Sequence, residues 1–363
     1  MKHPGSPRLL RATPAIPLPK GLARVGVCLT ALVLAGCTTA STQPPLPPTS
    51  TITSSATATG VIVYQSDNGL ALVRADGTDG HALTTDPPVT GRHPDWSPDG
   101  KNVAFEVDEQ VDHTTDIWLA NSDGTHARRA FNCSTPCESV QNPAWSPDGT
   151  HIAYSWGEFP PAVTQDIHIL DVTTGREIKK FTFPKFVGVI DPRWSPDGAK
   201  IAYTVQRFGG TANAPQLIDG AVGVLDLNGS PGNGHAITPW KILGSYPAWS
   251  PAGDQIIFQA GDETPFDLTD PGSGGHTSDL WMVRPDGSEL RQLTHQRPAD
   301  PRLFGPDWGG GPHPIRVAIY ATDRSSPILG MLDPDGSHLQ PIRDANTGGS
   351  IPGAHQRWVA SKS

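Results

Sequence analysis

The chain has 363 residues, with 39 Gly, 38 Pro and 10 Trp; 36% of it is hydrophobic, 17% is charged, and the formal net charge is −9. Glycine without a three-residue period excludes a collagen helix, the Gly and Pro content excludes a helical bundle, and the apolar and Trp content excludes a disordered chain. The charge offers no basic footprint for nucleic acid, which leaves a turn-rich, all-β protein of one large domain or two ordinary ones.

The N-terminus reads as an address. Lys2, Arg8, Arg11, Lys20 and Arg24 precede an apolar run from Val25 to Ala35, with no acidic residue among them. Leu34-Ala35-Gly36-Cys37 follows. A basic region, a short apolar core and small residues describe a signal peptide, and the core is too short to span a bilayer. The last four residues resemble the lipobox of bacterial lipoproteins. That resemblance implies that residues 1–36 are removed, that Cys37 is acylated, and that the protein is extracytoplasmic and held to a cell membrane by lipid alone. An ordinary secretory signal that happens to contain a cysteine is the other reading. From Cys37 onward there are 22 Lys and Arg against 36 Asp and Glu, a net −14, so anionic headgroups would repel the body. Residues 37–59 are Ser-, Thr- and Pro-rich and are expected to be a tether. After the first forty residues no apolar run is long enough to cross a membrane.

Residues 60–363 contain a repeat of about fifty residues. Trp96-Ser97-Pro98-Asp99-Gly100 recurs at Trp145–Gly149 and Trp194–Gly198, more weakly at Trp249–Gly253, as Trp308 before three glycines, and as Trp358 alone. After each turn comes an alternating run rich in β-formers: NVAFEV, HIAYSW, KIAYTV, QIIFQA, RVAIYA. A second run follows (DIWLAN, DIHILD, VGVLDL, DLWMVR, PILGML), then a turn such as Asp123-Gly124 or Asp286-Gly287, then a short fourth strand. Proline presets φ, Asp caps the turn and Gly takes φ > 0. The first unit lacks a Trp strand, and His355-Gln356-Arg357-Trp358 at the C-terminus supplies it. The expected fold is therefore a six-bladed β-propeller of four-stranded blades, closed by the C-terminal strand in the first blade. Trp96, Trp145, Trp194, Trp249, Trp308 and Trp358 are expected to pack between blades.

The pattern PxWSPDGxxIAF followed by DIWxxxxDGxxxRxLT resembles the repeat of TolB-type six-bladed propellers, which also form the propeller domains of prolyl-oligopeptidase-like enzymes. The resemblance covers nearly all of residues 60–360 and implies the fold; the motif is scaffold and carries no activity of its own. With only the tether ahead of the first blade, the chain is expected to lack the N-terminal α/β domain of TolB.

Catalytic signatures are missing from the sequence: there is no Gly-x-Ser-x-Gly elbow, His-Glu-x-x-His, P-loop or Cys-x-x-Cys. The Asp-Gly turns do not have the spacing of a calcium loop. Cys133 and Cys137 are expected to form a structural loop disulfide, with free thiols or a redox or metal pair as alternatives. One position precedes the Pro of each inner strand: His93, Asn142, Asp191, Tyr246, Gly305 and, by alignment, His355. Equivalent positions must form one ring around the axis, with His93 and His355 on neighbouring blades and Asp191 facing them. That ring reads as a wetted rim, a site for a small ligand or peptide, or a metal site. The last option follows from oligogalacturonate lyases, which resemble this repeat family and use channel histidines with a metal. His151, His168, His235, His276, His313 and His338 are expected to be solvated.

The functional expectation is a monomeric, non-enzymatic envelope lipoprotein that binds an envelope protein or peptide and needs no cofactor. A glycan lyase or hydrolase using a divalent cation in the channel, and a carbohydrate or small-molecule sensor, are the rivals.

Overall fold

The computed structural model describes residues 60–360 except 110–113, 159–163, 212–213, 230–233, 262–277, 298–299, 312 and 322–325. Cys37 and the tether lie outside the described residues. The second blade shows the pattern: β4 (Gly91–Trp96), β5 (Asn102–Asp108), β6 (Thr115–Asn121) and β7 (Arg128–Phe131) form one antiparallel sheet. The third consists of β8 (Ser139–Trp145), β9 (His151–Glu158), β10 (Thr164–Asp171) and β11 (Arg176–Phe181). The fourth has β12 (Val187–Trp194), β13 (Lys200–Thr211), β14 (Ala214–Asp226) and β15 (His235–Ala236). The fifth has β16 (Ser245–Trp249), β17 (Ile256–Gly261), β18 (Ser278–Val283) and β19 (Arg291–Gln292), and the sixth β20 (Arg302–Trp308), β21 (Ile315–Tyr320), β22 (Ile328–Leu332) and β23 (Gln340–Pro341). The first blade joins β24 (Ala354–Val359) to β1 (Val61–Ser66), β2 (Gly69–Arg74) and β3 (His81–Ala82), in the order β24-β1-β2-β3. The C-terminal strand thus closes the ring, as expected. Inner strands touch in the cycle β24, β4, β8, β12, β16, β20 and back to β24, which closes the ring.

Local chemistry sets the turns. In the second blade Ser97 Oγ donates to Asp99 Oδ1 at 2.7 Å and accepts the Asn102 N–H at 2.9 Å, and the Gly100 N–H bonds back to the Ser97 carbonyl. Gly100 sits at φ 71°, a conformation that favours glycine. The third and fourth blades repeat the arrangement through Ser146 with Asp148 and Ser195 with Asp197.

The core is divided into six apolar clusters, one at each blade boundary. Trp96 packs with Val63, Leu70 and Leu72 of the first blade, and Trp145 with Ile117 and Leu119 of the second. Trp249 packs with Ala202 and Val222 of the fourth, while Trp194, Trp308 and Trp358 lie half-buried against their clusters. The Trp358 indole lies against Gly60, Gly309 and Gly310, where a Cβ would approach it to 2.1–3.1 Å.

Two expectations are corrected. The sixth-blade strand begins at Ile315, one residue before the expected RVAIYA. Trp308 pairs with Ile315 and Asp307 with Arg316, so Arg316 occupies the place of Ala104, Ala153 and Ala202 and is 1% exposed. An arginine reads as a strand-leading polar residue only until pairing is known. The second correction is His168, which is buried rather than solvated. It stacks on Trp156, lies beside Tyr154, and its Nδ1 is 2.5 Å from Glu177 Oε2.

Candidate functional site

The six ring positions share a backbone feature that the sequence does not announce. His93, Asn142, Asp191, Tyr246, Gly305 and His355 all have positive φ, between 46° and 55°. At each, the pairing between the inner strand and its neighbour shifts register: between Arg92 and Asp95, Gln141 and Ala144, Ile190 and Arg193, Ser245 and Ala248, Phe304 and Asp307, and opposite Val63 and Gln65. Each inner strand therefore carries a bulge at the same depth, and a bulge re-aims its side chain. Left-handed backbone favours Gly, Asn, Asp and His. Backbone demand thus accounts for much of the ring's polarity, and Tyr246 is the member it does not account for.

The ring is braced from blade to blade. Gln65 Oε1 accepts the His93 N–H at 3.4 Å, and Glu106 Oε1 accepts the Asn142 N–H. Thr204 Oγ1 accepts the Tyr246 N–H at 3.0 Å, and Gln259 Oε1 accepts the Gly305 N–H at 3.4 Å. In each case the acceptor sits on the second strand of the preceding blade. Ser155 and Ala318 stand at that position in the third and sixth blades.

Glu106 is fully buried, its side chain 0% exposed. Its Oε2 is 2.9 Å from both Arg92 Nε and His93 Nδ1. Burial pushes the Glu106 carboxyl up, but the charge and hydrogen bond of His93, the Asn142 N–H and Arg92 outweigh it and hold the group below the usual range. Burial pushes His93 down, and Glu106 outweighs that and raises it. His355 meets His93 edge-on at 4.1 Å between ring centroids. Burial and the charges of His93, Arg193 and Arg92 push His355 well below the usual histidine range. The pair is therefore one paired imidazole and one neutral imidazole. Asp191 is 1% exposed; burial pushes it up to about 6 against Arg193, His93 and the Thr204 hydroxyl at 3.2 Å. Burial also raises Tyr246, whose ring approaches His355 to 6.1 Å. They meet across Gly305, where an added Cβ would find nothing within 4 Å.

A second ring follows two residues on: Asp95, Ala144, Arg193, Ala248, Asp307 and Arg357. Asp95 Oδ2 accepts the Trp145 N–H at 2.7 Å and Asp307 Oδ2 the Trp358 N–H at 3.0 Å. Burial raises Asp95 to about 6 and Asp307 to about 7.

The structure thus brings His93, Asp191, Tyr246 and His355 into one electrostatic neighbourhood and places Asn142 beside Glu106. Sequence reasoning missed Glu106, Arg193, Asp95 and Asp307. For Glu106 the usable signal was a carboxylate inside the apolar run NVAFEV. Among the described residues no three His, Cys, Asp or Glu side chains converge as metal ligands. Cys133 and Cys137 form the expected disulfide, in a cluster with Tyr154 and Ile117.

A closed ring of six four-stranded sheets around a polar axis defines a six-bladed β-propeller. Its fold is TolB-like. TolB from Acinetobacter baumannii superposes with a TM-score of 0.57 at 18% identity, over 83% of this chain and 67% of that one. A TolB-type protein from Agrobacterium tumefaciens gives 0.50 at 17% identity, over 84% and 99%. An oligogalacturonate lyase from Vibrio parahaemolyticus gives 0.47 at 14% identity, over 78% and 71%. At these identities the likeness is one of fold. No protein-family model matches the sequence, and no curated protein matches it.

Proposed function

We propose that this chain is a non-enzymatic binding scaffold of the cell envelope, held to a membrane by lipid on Cys37 and spaced from it by residues 37–59. The channel ring takes a peptide segment of an envelope protein. The observation that carries this reading is the bracing of the ring: four of its six backbone N–H groups are fixed by side chains of the preceding blade. Such a preformed polar surface lowers the ordering cost of binding. The residues present also suit recognition better than catalysis. His93 is committed to Glu106, and among the described residues the neutral His355 hydrogen-bonds no hydroxyl, thiol or carboxylate that it could activate. The TolB-like fold is compatible with a protein partner in the envelope.

The test is capture from detergent-solubilised envelope by the native lipoprotein, compared with His355→Asn. Asparagine tolerates the left-handed backbone, so the fold should persist. Wild type should retain a partner that the variant loses. Equal capture by both would overturn the channel as the binding site, and stoichiometric metal after chelator-free purification would favour a channel lyase instead.

A further inference from the structure

Between the third and fourth blades, at the turn ends of their sheets, lies a groove of about 350 Å³ that shares no residue with the channel ring. Trp194 lines it. Its counterparts Trp96, Trp145 and Trp249 are 6–8% exposed, whereas Trp194 is half-buried. The Trp194 Nε1–H is donated to the Ala144 carbonyl at 3.1 Å, so what the indole offers the groove is carbon surface. Ile169 and Leu227 extend this apolar floor, and Ile178 stands at the rim. Ile178 is the extra residue of a bulge: Lys179 pairs with Ile169 and Glu177 with Leu170, which leaves Ile178 without a partner in the register. A bulge re-aims its side chain, and this one leaves an isoleucine 53% exposed. Two contacts fix the walls. Lys179 Nζ donates to the Leu227 carbonyl at 2.6 Å, and Pro147 lies against Gly198, where an added Cβ would come within 3.3 Å of its Cγ. Polar groups of both signs edge the floor. Asp148 and Asp197 bond their own turns through Oδ1, and neither Oδ2 accepts a hydrogen bond among the described residues. Asn228, His151 and Lys179 add donors and acceptors.

We propose that this groove binds a neutral saccharide of one or two pyranose rings, at a site separate from the channel and independent of the peptide reading. A pyranose has an apolar C–H face and a hydroxyl edge. The face packs on the negative face of an aromatic ring, here Trp194 with Ile169, Ile178 and Leu227 around it, and the edge meets the polar rim. Charge narrows the class of ligand. Lys179 disfavours a cation, and Asp148 and Asp197 disfavour an anion, whereas neutral hydroxyls can donate to the carboxylates and accept from the ammonium. The volume stands at the small end of ligand sites, which suits a mono- or disaccharide. Because both walls are held before any ligand arrives, little ordering cost is added on binding.

The probes are the neutral disaccharides cellobiose and N,N′-diacetylchitobiose, the anionic cellobiouronic acid, chitobiose with free amines, and the open-chain polyol sorbitol. They are titrated into the purified full chain in a detergent without a sugar headgroup, with the Trp194 indole N–H followed by NMR. At least one neutral disaccharide should bind and shift Trp194, and the charged relatives should bind about tenfold more weakly or worse. Ile178→Glu, on the exposed rim, should keep the melting temperature and weaken the neutral disaccharide about tenfold, and Trp194→Leu should abolish its binding. No Trp194 shift with either neutral disaccharide at its solubility limit, sorbitol binding as tightly as they do, a charged relative binding as tightly or more tightly, or a folded Ile178→Glu protein that binds like wild type would overturn the site. Where Trp194→Leu does not fold, Ile178→Glu decides alone. His355→Asn should bind the disaccharides as wild type does; loss of sugar binding there would place the sugar in the channel and overturn this groove, whereas failure of the peptide reading leaves the groove standing.

Discussion

Asp148 and Asp197 close the turns after the inner-strand tryptophans, while Asp95, Asp191 and Asp307 sit on the inner strands themselves. The turn carboxylates bond within their own loop: Asp148 to Ser146 and Thr150, Asp197 to Ser195 and Ala199. The Ser146 hydroxyl and the Thr150 N–H hold Asp148 down to about 2 despite the pull of burial. The inner-strand carboxylates bond 13 to 51 residues away, and burial pushes them up to about 6 or 7. One residue type thus does local work at the surface and long-range work at the axis, with opposite electrostatic consequences.

Deleting residues 352–363 tests the long-range side most severely. It removes β24, takes from β1 one of its two strand partners and from Asp307 the Trp358 N–H, and unpacks Trp358. Loss of a packed Trp alone costs about 3–5 kcal/mol, a large part of a typical stability of about 5–15 kcal/mol. The product should aggregate or lack a cooperative melt; an unchanged melting temperature would mean that the ring does not need its last strand. Glu106→Ala comes next. It strips Arg92 and His93 of their shared carboxylate and should cost about 3–5 kcal/mol in urea unfolding, and a loss below about 1 kcal/mol would show the brace to be dispensable.

Asp307→Asn sharpens the comparison through pH. A carboxyl held near 7 in the fold and near about 3.9 when unfolded binds more protons in the native state. Its contribution to stability therefore falls as pH rises from about 4 to about 7. Asparagine can still accept the Trp358 N–H, so the variant should match wild type near pH 4 and exceed it at pH 8 by roughly 2–4 kcal/mol. Equal stability curves at both pH values would mean that Asp307 titrates normally. Asp148 works in the opposite sense, since its stabilisation is present above about pH 4 and lost toward pH 2. Asp148→Ala should give the smallest effect, about 0.5–1.5 kcal/mol, read as a shift in denaturation midpoint at pH 7 that vanishes near pH 2.

This division also explains what was readable in the sequence. The Trp-Ser-Pro-Asp-Gly turns, the strand alternation and the missing first strand are short-range patterns, so blade number and closure could be inferred. The depth of His93, Asn142, Asp191, Tyr246 and His355 followed from repeat equivalence alone. Their left-handed bulges did not, because backbone φ at those positions depends on pairing with the neighbouring strand. Glu106 and Arg316 each stand at their position in one blade only, and Arg193 is matched only by Arg357, so no repeat announces them. His168 looked solvated because DIHILD reads as an outer strand, whereas Trp156 and Glu177 cover it.

Closure also imposes an order of assembly. Val61 pairs with Val359 and Ile62 with Trp358, so the earliest strand of the domain waits for the latest. The entropy of closing so long a loop grows only logarithmically with its length, but contacts between such distant residues slow folding. A nascent chain can build the second to sixth blades as it lengthens, yet its first sheet stays an open edge until the final dozen residues emerge. Arrival of the C-terminus is thus the event that commits the ring, and every truncated chain is left with an edge that quality control can recognise.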